Sequence, residues 1–565
     1  MTALDWAVLV STLVAIVSFG LYKGRQSKTV NQYLLAGRTM PWYAMGLSIM
    51  ATQASAVTFI STTGQAYADG MRFVQFYFGL PIAMVILCAT AVPIFHRSGV
   101  YTAYEYLERR FDAKTRALAS LVFLIQRGLS IGVSIYAPAI VLSLIFNWSD
   151  QITTLVIGTL VVVYTVTGGI PAVTWTDVVQ MMIIFCGLVL AFVLVLSMLP
   201  PGVSAIDAIY LAGSAGKLNA VDPHFDWNNR YNLWSGLLGG TFLFLAYFGC
   251  DQSQVQRYLT GKSVAQSKLS LLFNAMAKIP MQFFILLVGA MVFVFYLFVQ
   301  PPLLFQSPAL KVLQSSSAYS RVQERYDRAF AARRVATEAL VKTRRTGDPA
   351  AYQLQREHFR SAQSDLLGAR SQAIAVVKQV EGLKDFSDTN YVFLTFVTTY
   401  LPRGVVGLLI AVIFAAAMSS SSGEINSLAT VSVIDIYKRH VYSRGSDRHY
   451  LFASRLATAF WGIYAIAFAR YARNLGSLIE AVNMVGSLFY GTLLGVFLLA
   501  FFFRRVGGTG AFWGMIAGES AILLTAAFTS VSFLWYNVIG AVVVVAVGLL
   551  IRFAFPGPRS AGAAA

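Results

Sequence analysis

The sequence contains little charge. Asp, Glu, Lys and Arg make up 12% of its 565 residues, about half of the ~25% that is typical of soluble domains. By contrast, 57% of the residues are hydrophobic. Apolar stretches of the ~20 residues needed to cross a bilayer recur along the chain, beginning with residues 6–22. This composition excludes a soluble globular protein and predicts an all-α integral membrane protein embedded in a lipid bilayer.

Cysteine and histidine are also scarce. The three cysteines, Cys88, Cys186 and Cys250, fall in apolar segments and have neither the pairing of a disulfide framework nor the spacing of a metal site. There are five histidines, and no nucleophile elbow or phosphate-binding loop is present. Nothing in the sequence supports a membrane enzyme, so we expect no enzymatic activity.

The formal net charge is +18, but the basic residues are not arranged for nucleic acid. They fall in short clusters between apolar segments, at 23–28, 96–116, 257–268, 438–448 and 504–505, without a basic-aromatic platform. Cytoplasmic loops of membrane proteins are enriched in Lys and Arg. The clusters therefore indicate orientation, and we expect no nucleic-acid partner.

Thirteen apolar segments are predicted to cross the membrane. With the N-terminus outside and the C-terminus inside, thirteen crossings place every basic cluster on the cytoplasmic side, whereas twelve or fourteen do not. Asp5 and the absence of a basic n-region indicate that the first segment is retained. The ninth segment is longer than a bilayer requires, so we expect it to bend or to project into solvent. The segments are 4–22, 41–66, 72–97, 116–146, 150–168, 175–199, 232–256, 269–299, 390–437, 449–470, 474–503, 510–528 and 531–554.

Residues 303–388 differ from the rest of the chain because they are polar and rich in Arg, Gln and Ala. Two helical stretches, 318–344 and 350–381, flank the turn sequence Thr-Gly-Asp-Pro at 346–349. This pattern predicts an amphipathic helical hairpin. The topology places it outside despite its positive charge, since loops longer than about 60 residues largely escape the positive-inside rule.

Polar residues within the apolar segments mark candidate functional positions, because they are costly in a bilayer. The clearest are 49-IMATQASAVTF-59 in the second segment and 247-YFGCDQSQVQRYL-259 in the seventh. Each of these segments begins a block of five, and blocks with an odd number of crossings insert in opposite orientations. Paired polar interruptions in two inverted halves are typical of a transporter's midplane site, where unwound backbone offers carbonyls to a cation. The repeated rings of a channel filter are not apparent.

Three motifs carry a family resemblance: 100-VYTAYEYLERRF-111, 168-GGIPAVTWTDVVQ-180 and 252-QSQVQRYLTGKS-263. Together they resemble the sodium:solute symporter family, which includes proline, sugar, iodide, monocarboxylate and sialic acid transporters. The resemblance extends from residue 31 to about 505 and implies a leucine-transporter-type fold, an inverted repeat of five plus five helices. The implied segments are a preceding helix and loop (1–30), the first repeat (31–200), an extracytoplasmic loop with two helices of the second repeat (201–302), the inserted hairpin (303–388), the remaining three helices (389–505), and two C-terminal helices with a short cytoplasmic tail (506–565).

The resemblance also implies sodium sites. Sodium is a hard cation that prefers several oxygen ligands. The family's shared site corresponds to backbone or hydroxyl oxygens of Ala51, Ala54, Ala416, Ser419 and Ser420. The alternative from the residues alone is that this Ser/Ala run only allows close helix packing.

A second sodium is bound in the sialic acid branch by an aspartate matching Asp177. The serines that accompany it match Ser419, Ser422 and residue 423, which is Gly423 in this chain and lacks a hydroxyl. Asp177 has another interpretation, in which it caps or hydrates the start of the sixth helix. The second sodium therefore stays open.

The expected substrate pocket lies where the second, third and seventh segments converge. An aromatic ring over a polar floor suits a hydroxylated or carboxylated solute, and the segment containing Tyr247 is similar to the one whose tyrosine stacks on substrate in sugar transporters. The expected pocket residues are Ser55, Thr58, Gln75, Tyr77, Arg127, Tyr247 and Gln252.

Arg127 and Glu424 each have two interpretations. Arg127 lies roughly 16 Å into the fourth helix, near the midplane, and either clamps an anionic substrate bidentately or pairs with a carboxylate or carbonyl groups of the protein. The arginine of the sialic acid branch aligns best with Ser130. Glu424 either faces the cytoplasmic cavity or pairs with a basic side chain.

Together these features predict a sodium-coupled secondary active symporter with Na⁺ as the coupling ion. It is expected to import a small polar organic solute (a sugar, a sugar acid such as sialic acid, or a monocarboxylate) by alternating access, across the plasma membrane, specifically a bacterial inner membrane. Two alternatives stay open: proton coupling through Asp177 or Glu424, and a transporter-like sensor.

Overall fold

The computed structural model describes residues 1–25, 28–146, 149–383, 385–472 and 477–554, and this part of the chain is dominated by helices. In chain order they are α1 (Ala3–Gly24), α2 (Val30–Leu35), α3 (Trp42–Gln53), α4 (Ala56–Asp69), α5 (Leu80–Ala89), α6 (Ala91–Ser98), α7 (Ala103–Arg110), α8 (Ala113–Phe146), α9 (Asp150–Ser197), α10 (Ala205–Ser214), α11 (Gly240–Gly249), α12 (Gln252–Leu259), α13 (Val264–Phe298), α14 (Ser307–Gln314), α15 (Tyr319–Thr346), α16 (Pro349–Glu381), α17 (Thr389–Tyr400), α18 (Val405–Val431), α19 (Asp447–Ala472), α20 (Leu478–Phe502), α21 (Gly508–Phe528) and α22 (Leu534–Ala554).

Four shorter helical segments of different pitch join these helices. Ala36–Arg38 and Gly70–Tyr77 are 3₁₀-helical, whereas Ser235–Gly239 and Ser432–Val441 are π-helical. Among the described residues, ten helical stretches are long and apolar enough to cross a membrane. The prediction of an all-helical membrane protein is therefore confirmed.

Several basic loops meet at one end of the helix bundle. Arg110 donates to the carbonyl of Phe503 (2.9 Å), and Arg439 pairs with Glu108 (2.6 Å). Further bonds at this end join Arg38 to Val100, Met40 to Thr260 and Val30 to Asp447. Loops that are far apart in sequence thus share one face, which we call the basic end.

The opposite end carries the N-terminus of α1. Asp5 accepts hydrogen bonds from the backbone N–H groups of Gly404 (2.6 Å) and Gly407 (3.2 Å), at the start of α18. The long ninth segment is divided here, because the chain leaves the helix after α17 and Gly404 has a positive φ of 84°. The expectation that this segment bends is confirmed.

Gly169 divides α9 into two parts. Its φ of 62° lies in the region that side chains disfavour, and a Cβ at this position would lie 2.6 Å from the Tyr33 ring. Pro171 follows and removes a backbone donor. The two parts correspond to the predicted segments 150–168 and 175–199.

The helices α15 and α16 form the predicted hairpin, and a small apolar core joins them. Asp207 at the start of α10 anchors the tip of the hairpin through Arg344 (2.9 Å) and Arg345 (2.7 Å). Burial raises the pKa of Asp207, but hydrogen bonds from Ser204 and Arg345 outweigh this and lower it overall. The hairpin is therefore attached to the membrane-spanning body in part by ion pairs.

Candidate functional site

The second predicted segment is broken in the middle, close to the Ala51 and Ala54 positions where unwinding was expected. The helix α3 ends at Gln53; Ala54 has φ −89° and ψ 66°, and Ser55 is extended with φ −74° and ψ 171°. The break leaves the last carbonyl groups of α3 and the first N–H groups of α4 without intrahelical partners. Within the bundle, the carbonyl groups at the end of α3 favour a cation, and the N–H groups at the start of α4 favour an anion.

The seventh predicted segment has a matching break at residues 250–251. Cys250 has φ −127° and ψ −26°, and Asp251 is extended before α12 begins. One carboxylate oxygen of Asp251 caps α12 by accepting from the N–H (2.9 Å) and hydroxyl (2.7 Å) of Ser253. Tyr104 donates to the carbonyl of Cys250 (2.9 Å), which fixes the unwound chain.

A cavity lies between α3–α4, α11 and helices α8, α18 and α20. Its enclosed volume is about 70 Å³, smaller than the ~300–1,000 Å³ typical of small-molecule sites. Aromatic, polar and two charged side chains share its surface. The lining residues are Thr52, Gln53, Ser55, Val57, Thr58, Phe76, Tyr77, Arg127, Ser130, Ser134, Leu243, Phe244, Tyr247, Glu424, Ile479, Val482, Asn483 and Tyr490.

The cavity brings together five of the seven expected substrate residues. Gln75 lies elsewhere, with its amide donating to the carbonyl of Tyr231 (3.0 Å) and accepting from the N–H of Asp222 (2.9 Å). Gln252 accepts from the N–H of Ala103 (3.0 Å). Both glutamines therefore hold loops in this structure. The five residues that line the cavity are Ser55, Thr58, Tyr77, Arg127 and Tyr247.

Arg127 pairs with two carboxylates at the cavity wall. Its Nη1 donates to Glu424 (3.0 Å), and its Nη2 donates to Asp251 and to the hydroxyl of Tyr490 (2.9 Å). Tyr490 also donates to Asp251 (2.9 Å). Of the two interpretations of Arg127, this geometry favours an arginine that pairs with carboxylates of the protein. For Glu424 it favours pairing with a basic side chain, which is Arg127.

The residues of the first expected sodium site lie on α3, at the break that follows it, and on α18. Gly423 of α18 packs against Thr52, since a Cβ at 423 would lie 3.4 Å from that side chain. The hydroxyl of Ser420 donates to the carbonyl of Ala416 (3.1 Å), and Ser422 donates to the carbonyl of Ser419 (3.0 Å). All five expected ligand residues, Ala51, Ala54, Ala416, Ser419 and Ser420, are buried.

Asp177, expected in the second sodium site, is paired with an arginine. Its carboxylate accepts hydrogen bonds from Ser48 and Ser419 (2.5 Å each), and Nη1 of Arg257 lies 3.4 Å from it. A Cβ on Gly423 would lie 2.2 Å from Nη2 of Arg257. The missing hydroxyl at 423 thus coincides with space taken by a guanidinium group.

The residues of this site that were not singled out from the sequence include Asp251, Arg257, Asn483 and Tyr490. A usable signal was present in α20, where Asn483 and Tyr490 are seven residues apart and so lie on one face of the helix. The two charged residues carry no such signal, because their partners are distant in sequence.

A cavity beside two discontinuous membrane helices is typical of the class of membrane transporters. The chain belongs to the sodium:solute symporter family, whose sequence profile matches residues 33–315 and 365–518. The unmatched stretch falls inside the hairpin insertion. Membership confirms the predictions of the family, of a transporter rather than an enzyme, and of Na⁺ as the coupling ion.

Individual relatives extend over most of the chain. The sodium/sialic acid symporter NanT of Aliivibrio fischeri is 27% identical over 97% of this chain and 92% of its own length. The sodium-coupled monocarboxylate transporter 1 of Xenopus laevis is 28% identical over 91% of this chain and 70% of its own. A solved Na⁺-coupled sialic acid symporter, in a substrate-bound outward-open state, superposes with a TM-score of 0.75 at 25% identity and covers 98% of both chains.

Proposed function

We propose that this chain is a sodium-coupled secondary active symporter that imports a small polar organic solute by alternating access. The observation that carries the proposal is the cavity at the break at residues 54–55, whose wall residue Arg127 pairs with Asp251 of the second break. Discontinuous helices in two inverted halves form the binding site of many transporters. The candidate solutes are a sugar, a sugar acid such as sialic acid, or a monocarboxylate.

The chain crosses the membrane thirteen times, with its N-terminus outside and its C-terminus inside. The ten long apolar stretches give thirteen crossings when Ala56–Ser98 is divided and two shorter segments are added. In the divided stretch α4 crosses with α3, and α5 crosses with α6; the added segments are Gln151–Val163, and Ser235–Gly249 with α12. The shared location of the basic loops supports a cytoplasmic basic end. The bilayer is a plasma membrane, specifically a bacterial inner membrane, and helices two to eleven form the five-plus-five inverted repeat.

Sodium binds where the C-terminal end of α3 meets α18. The freed carbonyls at Ala51 and Ala54, the carbonyl of Ala416, and the hydroxyls of Ser419 and Ser420 supply neutral oxygens, which suit a hard monovalent cation. The burial of all five residues supports this assignment. Binding at the α3 end would also stabilise the break next to the cavity.

One sodium ion accompanies each solute. The alternative, a second sodium at Asp177, Ser419 and Ser422, requires a cation where Arg257 already lies 3.4 Å from Asp177. Arg257 supplies the positive charge that a second sodium would bring. The sodium Hill coefficient of uptake distinguishes the two, with a value near one expected here.

The solute contacts Ser55, Thr58, Tyr77 and Tyr247. These residues lie beside the Arg127 cluster, which consists of Arg127 and its partners Glu424, Asp251 and Tyr490. The hydroxyls of Ser55 and Thr58 at the break offer hydrogen bonds, and Tyr247 offers a ring for stacking. Proton coupling, the alternative, would require the buried carboxylate of Glu424 on the cavity wall to carry the proton.

Solute accumulation in proteoliposomes tests the coupling ion. An inward sodium gradient is expected to drive accumulation that a protonophore does not reduce. Accumulation that follows a proton gradient in sodium-free buffer, and collapses with the protonophore, would refute sodium coupling and leave Glu424 as the proton carrier.

A further inference from the structure

Arg127 is engaged by the protein at both outer nitrogens of its guanidinium group. Nη1 donates to Glu424, and Nη2 donates to Asp251 and Tyr490. A guanidinium grips a carboxylate through two parallel N–H donors. Nε has no hydrogen-bond partner among the described residues, but each pair of parallel donors on a guanidinium includes an N–H of Nη2, and Nη2 already donates to both Asp251 and Tyr490. A carboxylate solute would therefore have to displace a carboxylate of the protein.

Of the two carboxylates that pair with Arg127, the one on Glu424 lines the cavity. Asp251 uses both of its oxygens to accept from Ser253, Arg127 and Tyr490. Glu424 is 5% exposed and lines the cavity. Its Oε2 accepts no hydrogen bond of standard geometry from the described part of the chain, although the Ser134 hydroxyl lies beside this carboxylate.

With Glu424 and Asp251 both ionised, the charges of the cluster do not balance. Two carboxylates share the single guanidinium of Arg127, and Arg257 is placed against Asp177 instead. A buried charge without a counter-charge is unfavourable. A cation bound in the cavity beside Glu424 would supply the missing charge.

The remaining walls suit an organic cation. Phe76, Tyr77, Phe244 and Tyr247 line the cavity, and aromatic faces attract cations. Two of these rings already lie near a cation of the protein, Tyr247 near Arg127 (5.7 Å) and Tyr77 near Lys278 (5.9 Å), whereas Phe76 and Phe244 have no such partner among the described residues. Oε1 of Gln53, another lining residue, has no hydrogen-bond donor among the described residues. The cavity thus offers acceptors and π faces around one excess negative charge.

We infer that the transported solute carries a protonated amine or another organic cation, which binds at Oε2 of Glu424. This inference rests on the proposed sodium-coupled transport, and it replaces the anionic candidate solutes by a cationic one. The solute differs in charge from the sialic acid and monocarboxylate named for the relatives. In this arrangement Arg127 positions the carboxylates of Glu424 and Asp251, and it does not hold the solute through a pair of parallel hydrogen bonds.

Thermal stability of the purified full-length protein tests the inference with two matched series. Glucosamine, glucose and gluconate form one, and butylamine, butanol and butyrate form the other, each measured in sodium and in potassium. The amine of at least one series is expected to stabilise the protein in sodium at concentrations about tenfold lower than its alcohol or carboxylate counterpart. Equal or better stabilisation by a carboxylate, or no stabilisation by either amine, overturns the inference.

Three variants assign the effect to Glu424. Glu424→Gln is expected to weaken amine binding about tenfold or more, since it removes a charge-assisted hydrogen bond, while Glu424→Asp retains the preference for amines. Glu480→Gln is the control, because Glu480 pairs with Arg230 (2.5 Å) and does not line the cavity.

Two further outcomes separate this inference from sodium coupling. If Glu424→Gln raises the sodium requirement and leaves the amine preference unchanged, Glu424 is a sodium ligand and the inference fails. If amines bind equally well in sodium and potassium, the sodium coupling fails and the amine site stands.

Discussion

The pair Asp177–Arg257 gives the sharpest prediction for the sodium stoichiometry. At 3.4 Å the attraction between two unit charges is ~5 kcal/mol at an effective dielectric constant of ~20. Removing one partner of a buried pair costs about 3–5 kcal/mol, because the other charge stays buried. Asp177→Asn retains an acceptor for one of the two serine hydroxyls that reach this carboxylate, so the loss reports mainly on the ion pair.

A double-mutant cycle measures this pair directly. The free energy of unfolding in mixed micelles is compared for Asp177→Asn, Arg257→Gln and the double variant. We expect the double variant to be more stable than the sum of the single effects by about 1–3 kcal/mol. Additive effects, together with a sodium Hill coefficient that falls from two to one in Asp177→Asn, would refute the pairing and restore the second sodium.

Three other predictions concern separate parts of the molecule. Ser419→Ala or Ser420→Ala should raise the sodium concentration for half-maximal uptake about tenfold without unfolding the protein, and unchanged sodium affinity in both would remove these hydroxyls from the site. Tyr247→Ala should weaken solute affinity by about 1–2 kcal/mol in equilibrium binding, and unaltered affinity would exclude stacking. Because the pKa of Asp207 is lowered, its ion pairs should hold the hairpin above pH ~4 and weaken as the pH falls through the lowered pKa. The protection of α15 amides from hydrogen exchange, relative to their intrinsic rates, should fall over that range in the wild type and not in Asp207→Asn. Protection that does not change with acid in the wild type would contradict this.

The backbone features of the site could be predicted from sequence because they have local causes. Polar residues at 52–55 interrupt an apolar helix, and the break falls at Ala54 and Ser55. The hairpin was predicted from a turn sequence, and α16 begins at Pro349. The second break follows Gly249, where Asp251 can cap a new helix.

The side-chain contacts could not be predicted because they join distant parts of the chain. Arg127 meets partners 124 and 297 positions away, so its pairing depends on how α8, α18 and the α12 cap pack together. Gln75 lies in a 3₁₀ helix, whose pitch directs the side chain differently from the α-helix assumed for the pocket. The missing hydroxyl at Gly423 could be seen in the sequence, but the guanidinium of Arg257 that takes its space could not, because it comes from a distant part of the chain.

Coupled uptake of radiolabelled sodium and solute by the same proteoliposomes tests the central claim most directly. A solute found in the stability screen is added under a fixed membrane potential, and the two initial rates are compared. The account predicts that solute stimulates sodium entry with a ratio near one, and that Ser420→Ala reduces both fluxes at limiting sodium. Solute entry without added sodium flux would contradict it.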